Sequence, residues 1–134
     1  MRNAYPVIFT ITDNQVLVEV PDFQILTEGT DISDAIEMAR DAIGLAGITR
    51  EDMEQSIPNP SDVSEINPTT GTFSQDGKSF LSLVNVDFSE YRKQVDNRMV
   101  RRNVTLPNWL NQKADKAKIN VSKVLQDALI AKLQ

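Results

Sequence analysis

Apolar positions recur at two different spacings along the first part of the chain, and the change of spacing marks the elements. Tyr5 to Thr12 and Val16 to Val20 alternate in β-branched and aromatic residues, with Asp13-Asn14-Gln15 between them, as in a hairpin with a short loop. Val7, Phe9 and Ile11 take one face of the first strand. Pro21-Asp22 breaks the second strand, and Phe23 to Thr27 supplies a third before Gly29. From Thr30 to Gly47 the spacing lengthens. Ile32, Ala35, Ile36, Ala39 and Ile43 follow the i, i+3, i+4, i+7 stripe of an amphipathic helix, with Thr30 or Asp31 as N-cap and Gly44/Gly47 at the far end. A helical turn is expected at Arg50 to Gln55. Ile57-Pro58-Asn59-Pro60-Ser61 reads as a rigid extended connection, because each proline restricts the residue before it. Residues Ser64 to Lys78 read as a loop or edge hairpin, and Phe80 to Phe88 alternate as a last strand. The fold class is α+β, a β-β-β-α-β module with one helix on one sheet face.

The end of the chain repeats neither pattern. Val100, Val104 and Leu106 fall on one face of an extended segment, Arg101, Asn103 and Thr105 on the other, and Pro107 stops it at the first turn of a helix. Asn108 to Lys118 places Trp109, Leu110, Ala114 and Ala117 on one side, with Trp109 expected in packed core rather than as a base-stacking platform. Asn120 caps a last helix, Val121 to Leu133, whose Val121, Val124, Leu125, Ala128, Leu129 and Leu133 form a nearly continuous stripe. A lone strand leaves both of its edges unpaired, and two short helices bury too little to stand alone. A second copy answers both needs: two strands pair as an antiparallel ribbon about a two-fold axis, over four helices.

Charge sharpens the division. The chain carries a net −5 with a pI near 4.7. Residues 1 to 88 hold 4 Lys+Arg and 15 Asp+Glu, net −11, while residues 89 to 134 hold 10 and 4, net +6. Two modules with different partners are implied: residues 1–88, a linker or short exposed helix over 89–99, and a strand-helix-helix unit over 100–134. A two-stranded ribbon fits the major groove of B-DNA, where Arg101 would bond guanine and Asn103 adenine, with Thr105 beside them. Arg98, Lys123 and the free amides of Val121 and Ser122 at a helix N-terminus suit backbone phosphates.

Other chemistry is scarce. Cysteine and histidine are both absent, which removes disulfides, thiolates, the commonest general base and the imidazole metal ligand. A reducing cytosol is the expected compartment: the N-terminus lacks the apolar core of a signal peptide, and no run of about 18 apolar residues occurs. The sequons at Asn103 and Asn120 are therefore read as chance matches. Asp13, Glu19, Asp22 and Asp87 could serve a two-metal nuclease if they converged around the ions, but Asp13 lies in a predicted turn and Asp22 beyond a strand end, and nothing argues for that convergence. No catalytic residue, metal or cofactor is expected.

With those residues in view, RRNVTLPNWL and INVSKVLQDAL resemble the ribbon-helix-helix DNA-binding family over residues 99 to 133. Arg102 departs from it, standing on the inward face where the family has an apolar residue. YPVIFTI, the strand before Pro21-Asp22, TEGTDISDAIEMARDAI and Ile57 to Ser61 resemble the HicB antitoxin family. That resemblance implies a partial RNase H-like N-terminal domain and an antitoxin that binds and blocks a small HicA-type mRNA-cleaving toxin. It further implies a homodimer that represses its own operon by binding double-stranded operator DNA, with tetramers left open. A basic ribonuclease would favour the acidic helix face of Asp31, Asp34, Glu37 and Asp41, and pairing at a sheet edge is an equal alternative. Two rivals stand beside this reading. One is a helix-turn-helix that reads bases through Lys123 and Gln126, and the other is a repressor whose α+β domain senses a small ligand.

Overall fold

The computed structural model describes residues 2–95 and 100–134, Arg2 by its backbone alone. The chain divides into two units, Met1–Asn97 and Arg98–Gln134.

The first unit runs β1 (Arg2–Ile11), β2 (Val16–Val20), β3 (Ile25–Gly29), α1 (Ile32–Asp52), β4 (Lys78–Asp87) and α2 (Phe88–Val95). The strands form one antiparallel sheet in the order β3-β2-β1-β4. Thr12 closes the first hairpin: its N–H donates to the Gln15 carbonyl at 2.9 Å, and its hydroxyl oxygen accepts from the Gln15 N–H at 3.1 Å. Pro21–Phe23 makes one 3-10 turn and Gln24 reverses the chain with a left-handed φ of 55°, so the third strand begins two residues later than its pattern suggested.

Pro6 stands in a central strand, where a proline ordinarily removes a ladder bond. Its register explains the tolerance. It opposes Leu83 of β4, while the β1·β2 ladder begins only at Ile8, so the missing N–H falls where β2 has already ended. The β1·β4 pairs at Pro6 and every second residue from it are therefore the non-hydrogen-bonded ones.

Tyr5, Val7 and Phe9 of β1, Val16, Val18 and Val20 of β2, and Val84 and Val86 of β4 point to one face, where Ala35, Ala39 and Ile43 of α1 cover them. Tyr5 meets Phe23 and Phe88 edge to face, with ring centroids at 5.0 and 6.3 Å. Ile11, at the last position of β1, is exposed.

Asp31 caps α1 by accepting from the Asp34 N–H at 2.8 Å, and Asp34 reaches back to the Thr30 N–H at 2.8 Å, a reciprocal arrangement like a capping box. The helix does not stop at Gly44/Gly47. It continues to Asp52 and absorbs the start of the turn expected at Arg50. The glycines answer another need. A Cβ on Gly44 would lie 2.5 Å from the Tyr91 ring, and one on Gly47 would lie 2.1 Å from that of Phe88. They open a groove in α1 that receives α2.

The polar stretch from Ser89 is accordingly not a plain linker: through Val95 it belongs to the first unit. Phe88 is buried, and the Tyr91 hydroxyl donates to Asp41 at 2.7 Å. Arg92 donates to the Ile48 carbonyl at 3.2 Å and pairs with Asp52 at 3.0 Å and Glu51 at 3.4 Å, at the C-terminal end of α1, where a cation complements the helix dipole.

The long passage from Met53 to Gly77 is held by the sheet. The Tyr5 hydroxyl donates to the Pro58 carbonyl at 2.7 Å, Asp22 accepts from the N–H and hydroxyl of Ser61, and Glu19 accepts from the N–H and hydroxyl of Thr72, both at 2.8 Å. Two 3-10 turns, Val63–Glu65 and Pro68–Thr70, are capped by Asp62 and Asn67.

The second unit holds α3 (Asn108–Lys116) and α4 (Val121–Leu133). Lys118 takes a left-handed φ of 55°, and the Ile119 N–H closes on the Ala114 carbonyl at 3.1 Å. With the Lys118 N–H on the Asp115 carbonyl at 3.1 Å, this ends α3 in a Schellman motif without glycine. Asn120 caps α4 through the Lys123 N–H at 3.1 Å.

Candidate interaction surfaces

Residues 100–107 carry no regular element within the single chain. The strand expected over Arg101 to Leu106 is missing for a physical reason: a strand is defined by its ladder, and no described segment of the chain pairs with it. Arg101, Arg102, Asn103 and Thr105 are all exposed. The apolar side is exposed as well. No described residue of α3 or α4 is buried, and Trp109, expected in packed core, is 61% exposed, with the Lys113 ammonium 5.8 Å from its ring centroid. Val124, Leu129 and Leu133 are exposed along the stripe of α4, and only Leu125 on it is half-buried. A unit this short has no second layer in one chain to cover that stripe.

At the start of α4, Val121 and Ser122 are exposed, and the cap leaves their N–H groups toward solvent. The Lys123 ammonium pairs with Asp127 at 2.9 Å. Such an exposed i, i+4 pair is worth a few tenths of a kcal/mol. Arg98 lies outside the described residues.

The acidic helix face of the first unit is engaged internally. Asp31 and Asp34 cap α1 and Asp41 holds Tyr91, whose hydroxyl is pushed up to about 12 by burial and by the Asp41 carboxylate. Glu37 is exposed, one turn before Arg40. The four nuclease candidates part in the same way: Glu19 and Asp22 anchor the loop, Asp13 is in the hairpin loop and Asp87 ends β4. Among the described residues no three His, Cys, Asp or Glu side chains gather, and no helix is long and apolar enough to cross a membrane.

Sequence reasoning missed Tyr91 and Arg92, which dock α2, and the loop-anchoring role of Asp22 and Glu19. Their partners are 39 to 53 residues away in the chain, and only the two glycines of α1 hinted that something approached there.

Comparison with known proteins gives the context. The model of the HicB-like antitoxins of bacterial toxin-antitoxin systems matches residues 5–133. Among solved structures, a chain of a toxin-antitoxin complex from Streptococcus pneumoniae is 26% identical with a TM-score of 0.60, covering 98% of this chain and 99% of that one. The antitoxin HicB of Burkholderia pseudomallei is 24% identical with a TM-score of 0.52, covering 98% and 96%, a likeness of fold. No curated protein matches the chain. An acidic α+β unit followed by a short basic helical one, matched across nearly its whole length, places this chain in the HicB-like antitoxin family of bacterial toxin-antitoxin systems.

Proposed function

We propose that this chain is the cytoplasmic antitoxin of a type II pair, that it occludes a HicA-type mRNA-cleaving ribonuclease, and that it represses its own operon as a DNA-bound homodimer. The observation that carries the DNA half is the second unit: a net charge of +6 over residues 98–134, with 8 Lys+Arg against 2 Asp+Glu, beside an apolar stripe that one chain leaves uncovered. Two copies closing that stripe bring their 100–106 segments together as a ribbon-helix-helix, with Arg101, Asn103 and Thr105 outward for base edges and Arg98, Val121, Ser122 and Lys123 toward phosphates. The dimers are free to pair further into tetramers.

The first unit takes the toxin. With 17 Asp+Glu against 6 Lys+Arg over residues 1–97, it attracts a basic ribonuclease over long range, and the face of Asp31, Asp34, Glu37 and Asp41 contributes to that field. The meander followed by a helix supports a partial RNase H-like module. Inhibition is stoichiometric occlusion, with no turnover. The test is co-expression with the product of the adjacent reading frame. A small basic protein should co-purify with this chain, cleave mRNA when alone, and lose that activity as this chain reaches stoichiometry. Cleavage that persists at saturation, or no co-purification, refutes the reading and favours a ligand-sensing repressor.

A further inference from the structure

We infer that the outer edge of β4, from Ser79 to Leu83, is the place where the basic partner protein adds a strand to the sheet, with an apolar side chain seated against Leu81, Leu83 and Val63. The inference rests on the toxin reading and names the surface that the partner takes.

Two independent observations fix which groups face outward. Pro6 has no N–H to give and opposes Leu83, so the pair is a non-hydrogen-bonded one and Leu83 turns its own N–H and C=O away from β1. Arg40 of α1 reaches around the edge and donates through Nε to the Asn85 carbonyl at 3.0 Å and through Nη2 to the Asn85 side chain at 3.2 Å. The Asn85 carbonyl therefore points outward too. Ser79, Leu81, Leu83 and Asn85 share that parity, and no strand lies beyond β4 among the described residues.

Natural edges are blunted by charge, proline or cover. Here Lys78 stands at the start of the strand and Arg40 covers Asn85. The stretch between them has neither charge nor proline, and Leu83 is 55% exposed.

Beside that stretch is an open cleft lined by Val63, Ser64, Leu81, Ser82 and Leu83. Asp62 and Glu65 flank it, both exposed, and hydrogen bonds from Ser64 hold the Asp62 carboxyl below the usual carboxylate range, so it is ionised at neutral pH. An apolar floor with an acidic rim suits an extended segment that alternates apolar and basic residues. A second copy would set one net −11 unit against another, whereas a basic protein meets complementary charge.

The experiment is residue-resolved amide hydrogen exchange on the full chain, alone and with the basic product of the adjacent reading frame. Exchange at Leu81 and Leu83 should slow at least about tenfold in the mixture. Leu83→Lys should raise the Kd at least about tenfold, while Leu26→Lys, on the exposed face of β3 at the other sheet edge, should leave it unchanged. If the partner binds and those two amides exchange as before, the edge inference falls and the toxin reading stands. If nothing binds, both fall. If the amides become protected in the chain alone as its concentration rises, the edge belongs to a second copy and the inference is overturned.

Discussion

The first unit of this chain is closed by its own residues, and the second is not. In the first, a four-stranded sheet, α1 and α2 bury a continuous core, and even a long loop is fastened by Asp22, Glu19 and Tyr5. In the second, two short helices leave every apolar residue at least partly exposed, next to a segment whose alternation has no ladder to join among the described residues. Both carry clear local signals, so the contrast does not come from propensity. It comes from where the complementary surface resides: within the chain for the acidic unit, and, on the proposed reading, in a second copy for the basic one.

The most disruptive test of that contrast is Leu125→Asp. It puts a carboxylate on the stripe that two copies would share, and the effect is felt from both subunits at once. A cost of about 3 kcal/mol or more per site should dissociate the dimer and reduce operator binding to the non-specific level in a gel-shift titration, with the unfolding transition of the first unit unchanged.

Gly47→Ala tests the opposite side of the comparison. Its Cβ would lie 2.1 Å from the buried Phe88 ring, so the overpacking, about 1 to 3 kcal/mol, outweighs the helix propensity of about 1 kcal/mol that alanine brings. The urea midpoint of the first unit should fall, and operator affinity of the folded dimer should stay.

Arg101→Ala and Lys123→Ala separate two roles within the second unit. The first should cost about 1 to 3 kcal/mol and relax base preference; the second should weaken all sequences alike and flatten the salt dependence. Identical behaviour would remove the assigned roles, and a large effect of Gln126→Ala with none of Arg101→Ala would point to a helix-turn-helix.

Tyr91→Phe gives the smallest effect, about 1 kcal/mol at neutral pH. The Tyr91 hydroxyl, raised from 10.0 to about 12, must keep its proton to donate to Asp41. Its contribution is therefore complete below pH 10 and lost as pH rises through about 12. Unfolding curves over that window should show the loss in the native chain and not in the variant.

What the sequence revealed divides along the same line. Val16–Val20, the Asp31 cap and the Asn120 cap of Val121–Leu133 were legible because alternation, proline and capping residues act within a few positions. Gly44 and Gly47 misled, since they resemble a helix stop yet accommodate Tyr91 and Phe88, which arrive much later in the chain. Asp41 shows the same limit: the sequence places it on an exposed helix face, and only its partner Tyr91, 50 residues away, shows it docking α2. The segment from Arg101 to Leu106 has a strand's alternation and no strand, because pairing is a property of two segments and the described residues of one chain supply one.

Sedimentation equilibrium of the full chain tests the central claim most directly. A species of at least twice the 15.0 kDa chain mass, reduced by Leu125→Asp to a monomer whose first unit is still folded, is the expected result. A native chain that stays monomeric at micromolar concentration with α3 and α4 fully helical would contradict it.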